Sequence, residues 1–137
     1  NELVQGLLGN APKPVTETMT EVSRVVGVHD NLTRQATLKF AHRHGLALVP
    51  VRHTKGGTDW YGYVSIANIA LHDRPIRDMV MPLFHIDARV GKLEAILTLR
   101  AAGREYAAVY RNGVMKGLVT ESELVEEFFI SQQTARR

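Results

Sequence analysis

The chain has 137 residues, of which 45% are hydrophobic and 23% are charged, with no cysteine and a formal net charge of +3. This is the composition of a soluble globular protein of one domain or two very small ones, and it excludes disorder, disulfides and cysteine-based sites. The longest apolar stretches, 46–51 and 128–130, are far shorter than the roughly 20 residues that span a bilayer. The basic residues are scattered and accompany no aromatic stripe, so nucleic-acid binding is not predicted.

The first residues predict a short helix over 2–8 that ends at Gly9, with Pro12 and Pro14 as a break after it. We assign residues 1–13 to an N-terminal helix and linker. The chain begins at Asn1 without a methionine or a signal region, and we therefore expect Asn1 to be either a point within a longer protein or the remnant of a tag.

From residue 15 onward the sequence repeats itself. Segment 15–21 aligns with segment 76–82, and each is followed by a short apolar strand, 25–28 or 84–86. A helix comes next in both copies. The apolar residues that we place on one face of these helices are Leu32, Ala36 and Phe40 in the first copy and Val90, Leu93, Ile96 and Leu97 in the second.

Each helix is predicted to end at a glycine, Gly45 or Gly103. The offset between the copies is 61 at their start (76 minus 15), 58 at these glycines (103 minus 45) and 55 at Gly62 and Gly117 (117 minus 62), as expected if loops in the second copy are shorter. Second strands follow the helices at 48–51 and 107–110. Third strands lead to Gly62 and Gly117, which we expect to allow a close approach of backbone or ligand, or an unusual backbone angle. Apolar helices at 66–71 and 124–129 end the two copies.

Both copies thus predict the order strand, helix, strand, strand, helix. A unit of about 55 residues is marginal alone, and two copies packed sheet to sheet would bury both sheets. The predicted fold class is α/β (α+β), with two pseudo-twofold-related repeats. We place the first repeat at 14–73, the second at 74–130 and a tail at 131–137.

The order of these signals resembles the cystathionine-β-synthase (CBS) domain pair, above all in its paired signature of a glycine, two apolar residues and a serine or threonine. The resemblance covers roughly residues 14–130. Several segments are also similar to the cytoplasmic CBS pair of the cyclin-M/CorC/hemolysin-C group, membrane proteins linked to magnesium and cobalt export. These segments are Val15 with Met19-Thr20, Gly45 with Val49-Pro50-Val51, 74–78, and 117–127.

The resemblance implies a regulatory module that forms a homodimer and binds an adenine nucleotide, ATP or AMP, with or without magnesium, in clefts between the repeats. It also implies a place on the cytoplasmic face of the membrane, attached to a transmembrane domain that this chain lacks. In such clefts the hydroxyl of the serine or threonine meets phosphate, and the acid three residues later meets the ribose. The positions in this sequence are Thr20, Ser65, Asn68, Thr120 and Glu123.

Each of these residues also has a structural interpretation. Thr120 and Glu123 form a capping box as readily as a ligand site, because both roles use the same helix terminus. Ser65 fits an N-cap, Asn68 replaces the acid in the first repeat, and Thr20 fits a turn hydroxyl.

The apolar run 46–49 stands where the group often has a polar or basic residue before its Pro-Val, so a phosphate partner is missing there. Arg104 or Lys116 could substitute for it, or could be a surface charge. The aromatic residues could stack on adenine or belong to the core or the dimer interface. They are Trp60, Tyr61, Tyr63 and Tyr106.

No nucleophile with a base, carboxylate pair or metal cluster is visible, so we predict neither an enzyme nor a metal site. The histidines are expected to be scattered surface residues, and the glutamates of the last helix to form a solvated face. These glutamates are Glu121, Glu123, Glu126 and Glu127. Two functions remain: a nucleotide-sensing module, or a dimerisation module whose clefts no longer bind nucleotide.

Overall fold

The computed structural model describes residues 13–135, so the helix predicted over 2–8 lies outside the described residues. The strands are β1 (Thr20–Glu21), β2 (Val28–His29), β3 (Leu48–Arg52), β4 (Trp60–Ser65), β5 (Met81–Pro82), β6 (Phe84–Asp87), β7 (Tyr106–Arg111) and β8 (Val114–Thr120). The α-helices are α1 (Arg34–His44), α2 (Ile66–Leu71), α3 (Lys92–Ala102) and α4 (Glu121–Ala135), and short 3-10 helices cover Val15–Glu17, Val22–Arg24 and Ile76–Met79. The predicted α/β class and the predicted element order are confirmed.

The chain divides into two compact units, and their boundaries differ from those of the sequence repeats. One unit, called here the Thr120 unit, combines 13–22 with 84–135, and the other, the Ser65 unit, is Ser23–Leu83. The sheet of the Thr120 unit has the order β1-β8-β7-β6, and that of the Ser65 unit has the order β2-β3-β4-β5. The opening strand of each repeat therefore pairs with the sheet of the other repeat.

Two glycines make these exchanged pairings possible. A Cβ atom on Gly117 would lie 2.4 Å from the Thr20 carbonyl oxygen, and one on Gly62 would lie 2.6 Å from the Met81 carbonyl oxygen. No real Cβ atom approaches a backbone oxygen so closely. Of the roles expected for the two glycines, the structure supports the close approach of another backbone segment.

Each unit has its own core between its sheet and its helices. In the Thr120 unit the buried residues are Val15, Ile86, Ala88, Ala95, Ile96, Leu99, Ala107, Val109, Val119 and Leu124. In the Ser65 unit they are Val28, Ala41, Val49, Val51, Val64, Ile69, Ile76 and Met79. Three consecutive positions are buried in β3 and again in β7, so both faces of these central strands are covered.

The predicted apolar face of the second-repeat helix is only partly correct. Ile96 is buried, but Leu93 and Leu97 are 37% and 57% exposed. Ala95 and Leu99 take the inner positions with Ile96, since Leu99 lies four residues after Ala95 and three after Ile96, and such spacings share a helix face. Leu93 and Leu97 thus form a separate apolar stripe on the outer side of α3.

The helix boundaries follow local chemistry. Thr33 caps α1 by accepting a hydrogen bond from the Ala36 N–H at 3.1 Å. Both predicted terminal glycines adopt the left-handed conformation, with φ of 63° at Gly45 and 65° at Gly103. Helix α4 is longer than expected and runs over Glu121–Ala135 rather than 124–129.

An ion-pair cluster fixes the opening segment of the Thr120 unit to its helices. The Lys92 ammonium, with only 10% of its side chain exposed, lies 3.2 Å from a carboxylate oxygen of both Glu17 and Glu127. The Thr18 hydroxyl donates to the same Glu127 oxygen at 2.7 Å. This hydrogen bond, followed by Lys92, lowers the pKa of Glu127, while partial burial opposes it. The prediction that the α4 glutamates form a solvated face is therefore wrong for Glu127, whose carboxylate bonds to Thr18 and Lys92, whereas Glu126 is exposed as predicted.

Candidate functional site

The N-terminus of α4 carries the first candidate site as a closed capping box. The Thr120 hydroxyl accepts from the Glu123 N–H at 3.1 Å and donates to Glu123 Oε1 at 2.7 Å. The same carboxylate oxygen accepts from the Thr120 N–H at 3.1 Å. The capping interpretation is thus realised in the structure. The Glu121 N–H also has a partner, the Glu105 carbonyl oxygen at 2.9 Å. The second carboxylate oxygen of Glu123 and the Ser122 N–H of the first helical turn are therefore the groups considered for a ligand.

Thr20 lies beside this box because of the exchanged strand. β1 pairs antiparallel with β8, with Thr20 opposite Leu118, two residues before Thr120. Side chains two residues apart on a strand share a face, so Thr20 and Thr120 point to the same side of the sheet. Such diagonal neighbours have Cα atoms about 7–8 Å apart. Thr20, although part of the first repeat in sequence, therefore joins the site of the second.

Tyr106 completes this end of the sheet, where it pairs with Thr120. Burial raises the pKa of the Tyr106 phenol, and the negative charge of Glu123 raises it further. The phenol therefore stays neutral at physiological pH. This end of the Thr120 unit therefore combines two hydroxyls, one carboxylate, one phenol ring and a helix N-terminus.

The corresponding end of the Ser65 unit is poorer in polar groups. Ser65 caps α2 by accepting from the Asn68 N–H at 3.4 Å. The position equivalent to Thr20 is Met81, since Met81 pairs with Tyr63 as Thr20 pairs with Leu118. Ser65 and Asn68 are therefore brought together without the second hydroxyl, because Met81 takes the position of Thr20. Their side chains can offer a ligand one hydroxyl and one neutral amide.

Solved structures with this architecture are known, although no family model matches the chain and no curated protein does. The CBS domain of a bacterial CNNM/CorC family Mg²⁺ transporter in complex with ATP matches with a TM-score of 0.77 and 22% identity, over 92% of this chain and 94% of that one. A hemolysin-like protein containing a CBS domain, from Oenococcus oeni, matches with a TM-score of 0.77 and 17% identity, over 92% and 97%. A CBS-domain pair with bound AMP from Klebsiella pneumoniae matches with a TM-score of 0.66 and 12% identity, over 85% and 98%.

The chain has the fold of a CBS domain pair. At these identities the likeness establishes the fold, and the residues of this chain must carry any argument on function. Within residues 13–135, no helix is long and apolar enough to cross a lipid bilayer. The described residues also contain no group of three histidine, aspartate or glutamate side chains placed to hold a metal ion.

Arg104 is the better placed of the two basic residues considered as phosphate partners in this CBS pair. It lies two residues before Tyr106, at the end of β7 that pairs with Thr120. Lys116 lies in the middle of β8 and is exposed. The run predicted to lack a phosphate partner contributes to the Ser65 unit, where Val49 is fully buried in β3.

Two of the aromatic residues considered for adenine stacking belong to buried positions, since Trp60 and Tyr63 are 4% and 2% exposed. Tyr61 instead stacks on His53, with ring centroids 3.7 Å apart, and its hydroxyl donates to Asp30 at 3.1 Å. His53 Nδ1 lies 3.4 Å from the same carboxylate. Sequence analysis missed this cluster because its members come from three separate segments and share no spacing signal.

Proposed function

We propose that this CBS pair is a regulatory module that binds an adenine nucleotide, ATP or AMP, at the Thr120 end of the Thr120 unit. The observation that carries the proposal is the meeting of Thr20 and Thr120 on one sheet face with Glu123 in the first turn of α4. Hydroxyls and helix-terminal amides suit phosphate, and a carboxylate accepts the hydrogen bonds of a ribose diol. The neighbours with bound ATP and AMP support the ligand class.

In this proposal the module has no catalytic role. It is attached to a membrane transporter of the magnesium/cobalt efflux or hemolysin-like type and lies on the cytoplasmic face of the membrane. Nucleotide binding regulates that transporter by favouring one conformation of the module over another. Such control requires the nucleotide to bind the two conformations with different affinity. The transporter and hemolysin-like neighbours support this assignment.

We infer a difference between the two candidate sites. The Thr120 site offers an ionised acceptor, whereas the Ser65 site offers the neutral amide of Asn68 and has Met81 in place of Thr20. Hydrogen bonds to charged groups are roughly twice as strong as those between neutral groups. We therefore assign the tighter nucleotide binding to the Thr120 site.

A thermal-shift titration with ATP and AMP, each with and without magnesium, tests this function. At a ligand concentration one hundred times Kd, a single site adds about 2.7 kcal/mol to the free energy of unfolding and raises Tm. Thr120→Val is expected to abolish the nucleotide-dependent rise, and so is Glu123→Gln. Thr120→Ser is the matched control, because it keeps both the hydroxyl and the cap and should keep the rise.

Asn68→Ala is the control for the other unit and should leave most of the rise intact. Equal losses in Asn68→Ala and Glu123→Gln would contradict the site assignment. A flat Tm across millimolar nucleotide would contradict the function itself.

A second candidate function is a homodimerisation module without nucleotide control. The exposed stripe of Leu93 and Leu97 on α3 favours it, because adjacent exposed leucines on a helix suit burial against a second copy. Sedimentation equilibrium separates the two functions when combined with the titration. A stable dimer with a flat nucleotide response supports this second function, and a dimer that responds to nucleotide supports the first.

A further inference from the structure

The Thr120 unit contains a pocket at the opposite end of its sheet from Thr120. This pocket has a volume of about 340 Å³ and is lined by Asp87, Arg89, Arg111 and Asn112. β7 pairs with β8 from Tyr106 opposite Thr120 at one end to Arg111 opposite Val114 at the other. The six residues of β7 span about 17 Å, so the pocket is separate from the proposed nucleotide site.

The charges of the pocket do not cancel. Arg89 donates to both oxygens of Asp87, at 3.0 Å and 3.3 Å, and the Arg89 backbone N–H donates to the same carboxylate at 2.8 Å. These bonds, together with the charge of Arg111, hold the pKa of Asp87 below its usual value. Asp87 is therefore ionised and already compensated by Arg89, and Arg111 supplies an additional positive charge.

The Arg111 guanidinium is available for a ligand. In the described part of the chain, the Arg111 guanidinium forms no hydrogen bond and no ion pair. Arginine presents several N–H donors in a planar fork, which matches the oxygens of a phosphate or carboxylate group. The pocket thus contains N–H donors that the Asp87 carboxylate does not use and that a ligand can accept from.

A tight turn holds the wall of the pocket in place. Arg111 pairs with Val114, so Asn112 and Gly113 form a two-residue hairpin turn with φ of 52° and 76°. Two left-handed residues in succession are typical of the type I′ turn, whose twist matches that of the strands. The turn fixes the backbone on both sides of Asn112, whose amide adds a neutral polar group to the lining.

The equivalent place in the Ser65 unit lacks the two arginines. Ala88 N donates to Tyr110 O as Asp30 N donates to Arg52 O, which sets an offset of 58 residues (88 minus 30). At this offset Asn31 corresponds to Arg89, and His53 corresponds to Arg111. The paired arginines are therefore a property of one unit and not a requirement of the repeated fold.

We propose that this pocket binds a small oxyanion, a phosphate group in preference to a carboxylate, through Arg111 and the outer donors of Arg89. A doubly charged phosphate presents more acceptor oxygens to the guanidinium groups of Arg89 and Arg111 than a carboxylate does. The pocket volume lies at the lower end of the range for small-molecule sites and fits a phosphate with a small substituent. The site is independent of the proposed nucleotide site and does not rest on it.

The test is a ¹H–¹⁵N correlation titration with inorganic phosphate at constant ionic strength, followed at the Asn112 and Gly113 amides. A saturable shift is expected in the unaltered chain. Arg111→Gln should weaken binding by about tenfold or more, as expected for a lost charge-assisted hydrogen bond. Arg43→Gln is the matched control, because Arg43 is an exposed arginine of the Ser65 unit, and it should change binding by less than about twofold.

Two further arms define the ligand and the site. Acetate in place of phosphate should give a weaker response, and equal affinities would overturn the assigned ligand class. Glu123→Gln should leave the response at Asn112 and Gly113 unchanged, so failure of the nucleotide proposal and failure of this one can be told apart. A linear drift that sodium chloride reproduces, or equal affinities in the Arg111→Gln and Arg43→Gln variants, would overturn the site.

Discussion

Gly117 lies where β8 receives the exchanged strand β1, and its replacement by alanine tests whether that pairing stabilises the fold. The added Cβ would lie 2.4 Å from the Thr20 carbonyl oxygen and 2.9 Å from Met19 Sδ. The sulfur ends a flexible side chain and can move. The carbonyl belongs to a paired strand, so the strand itself must shift.

The size of the shift follows from the geometry. Real Cβ contacts begin near 3.0 Å, so β1 must move by at least 0.6 Å (3.0 minus 2.4). Hydrogen bonds of about 2.9 Å then lengthen toward the limit of about 3.5 Å. β1 pairs through two positions, Thr20 with Leu118 and Glu21 with Gly117. Losing about two bonds at roughly 0.5–1.5 kcal/mol each predicts a loss of roughly 1–3 kcal/mol, the range found for overpacking.

Urea unfolding followed by circular dichroism measures this loss, and amide hydrogen exchange measures the protection of β1. With an m value of about 1.5 kcal/mol per molar urea, a loss of 2 kcal/mol lowers the midpoint by roughly 1 M. Lys116→Ala is the control, since it changes the adjacent exposed residue of β8 and introduces no contact.

A small effect would contradict the stabilising role of the β1–β8 pairing. If the free energy of unfolding of Gly117→Ala lies within about 0.5 kcal/mol of that of Lys116→Ala, the loss is no larger than that of an ordinary surface substitution. If the amide protection of Thr20 is also unchanged, the close approach of β1 and β8 does not constrain residue 117.

Two further predictions concern titrating groups. The pKa of Glu127 is lowered, so its contribution to stability is complete above the ordinary pKa of 4.5 and is lost as the pH falls through the lowered value. Urea unfolding at a series of acidic pH values should show the free energy of unfolding declining more steeply in the unaltered chain than in Glu127→Gln. Parallel curves would contradict the role of Thr18 and Lys92. Burial and the hydrogen bond to Asp30 raise the pKa of Tyr61 to about 12. Ultraviolet titration of tyrosinate, with Tyr61→Phe as the subtraction control, should show that Asp30→Asn lowers this pKa only in part, because burial persists. An unchanged pKa would exclude Asp30 as a cause.

Much of the secondary structure could be predicted because it depends on neighbours in the sequence. Gly45 and Gly103 end their helices as expected, since a left-handed residue at that point needs no tertiary partner. The Thr120–Glu123 box also formed as one of the two expected alternatives, because a capping box depends on a spacing of three residues.

The inner face of α3 was predicted less well. Leu93 and Leu97 satisfy the apolar spacing of a helix, but the sheet covers Ala95, Ile96 and Leu99 instead. A hydrophobic pattern identifies an apolar stripe and does not say which of two stripes the rest of the chain will cover. The environment of the α4 glutamates was also not predictable from spacing, since only the fold brings Lys92 and Thr18 to Glu127.

By itself, the sequence determined the repeat, the order of elements in each copy and the set of polar residues at the helix termini, because spacing and turn chemistry are local. Only the tertiary structure decided which repeat each opening strand joins. Gly62 and Gly117 are compatible with pairing to any short strand. The choice of β1 as the partner of β8 depends on contacts between residues about 100 positions apart, such as Thr20 with Leu118. That exchange places Thr20 beside Thr120 and Glu123, and it leaves Ser65 and Asn68 with Met81.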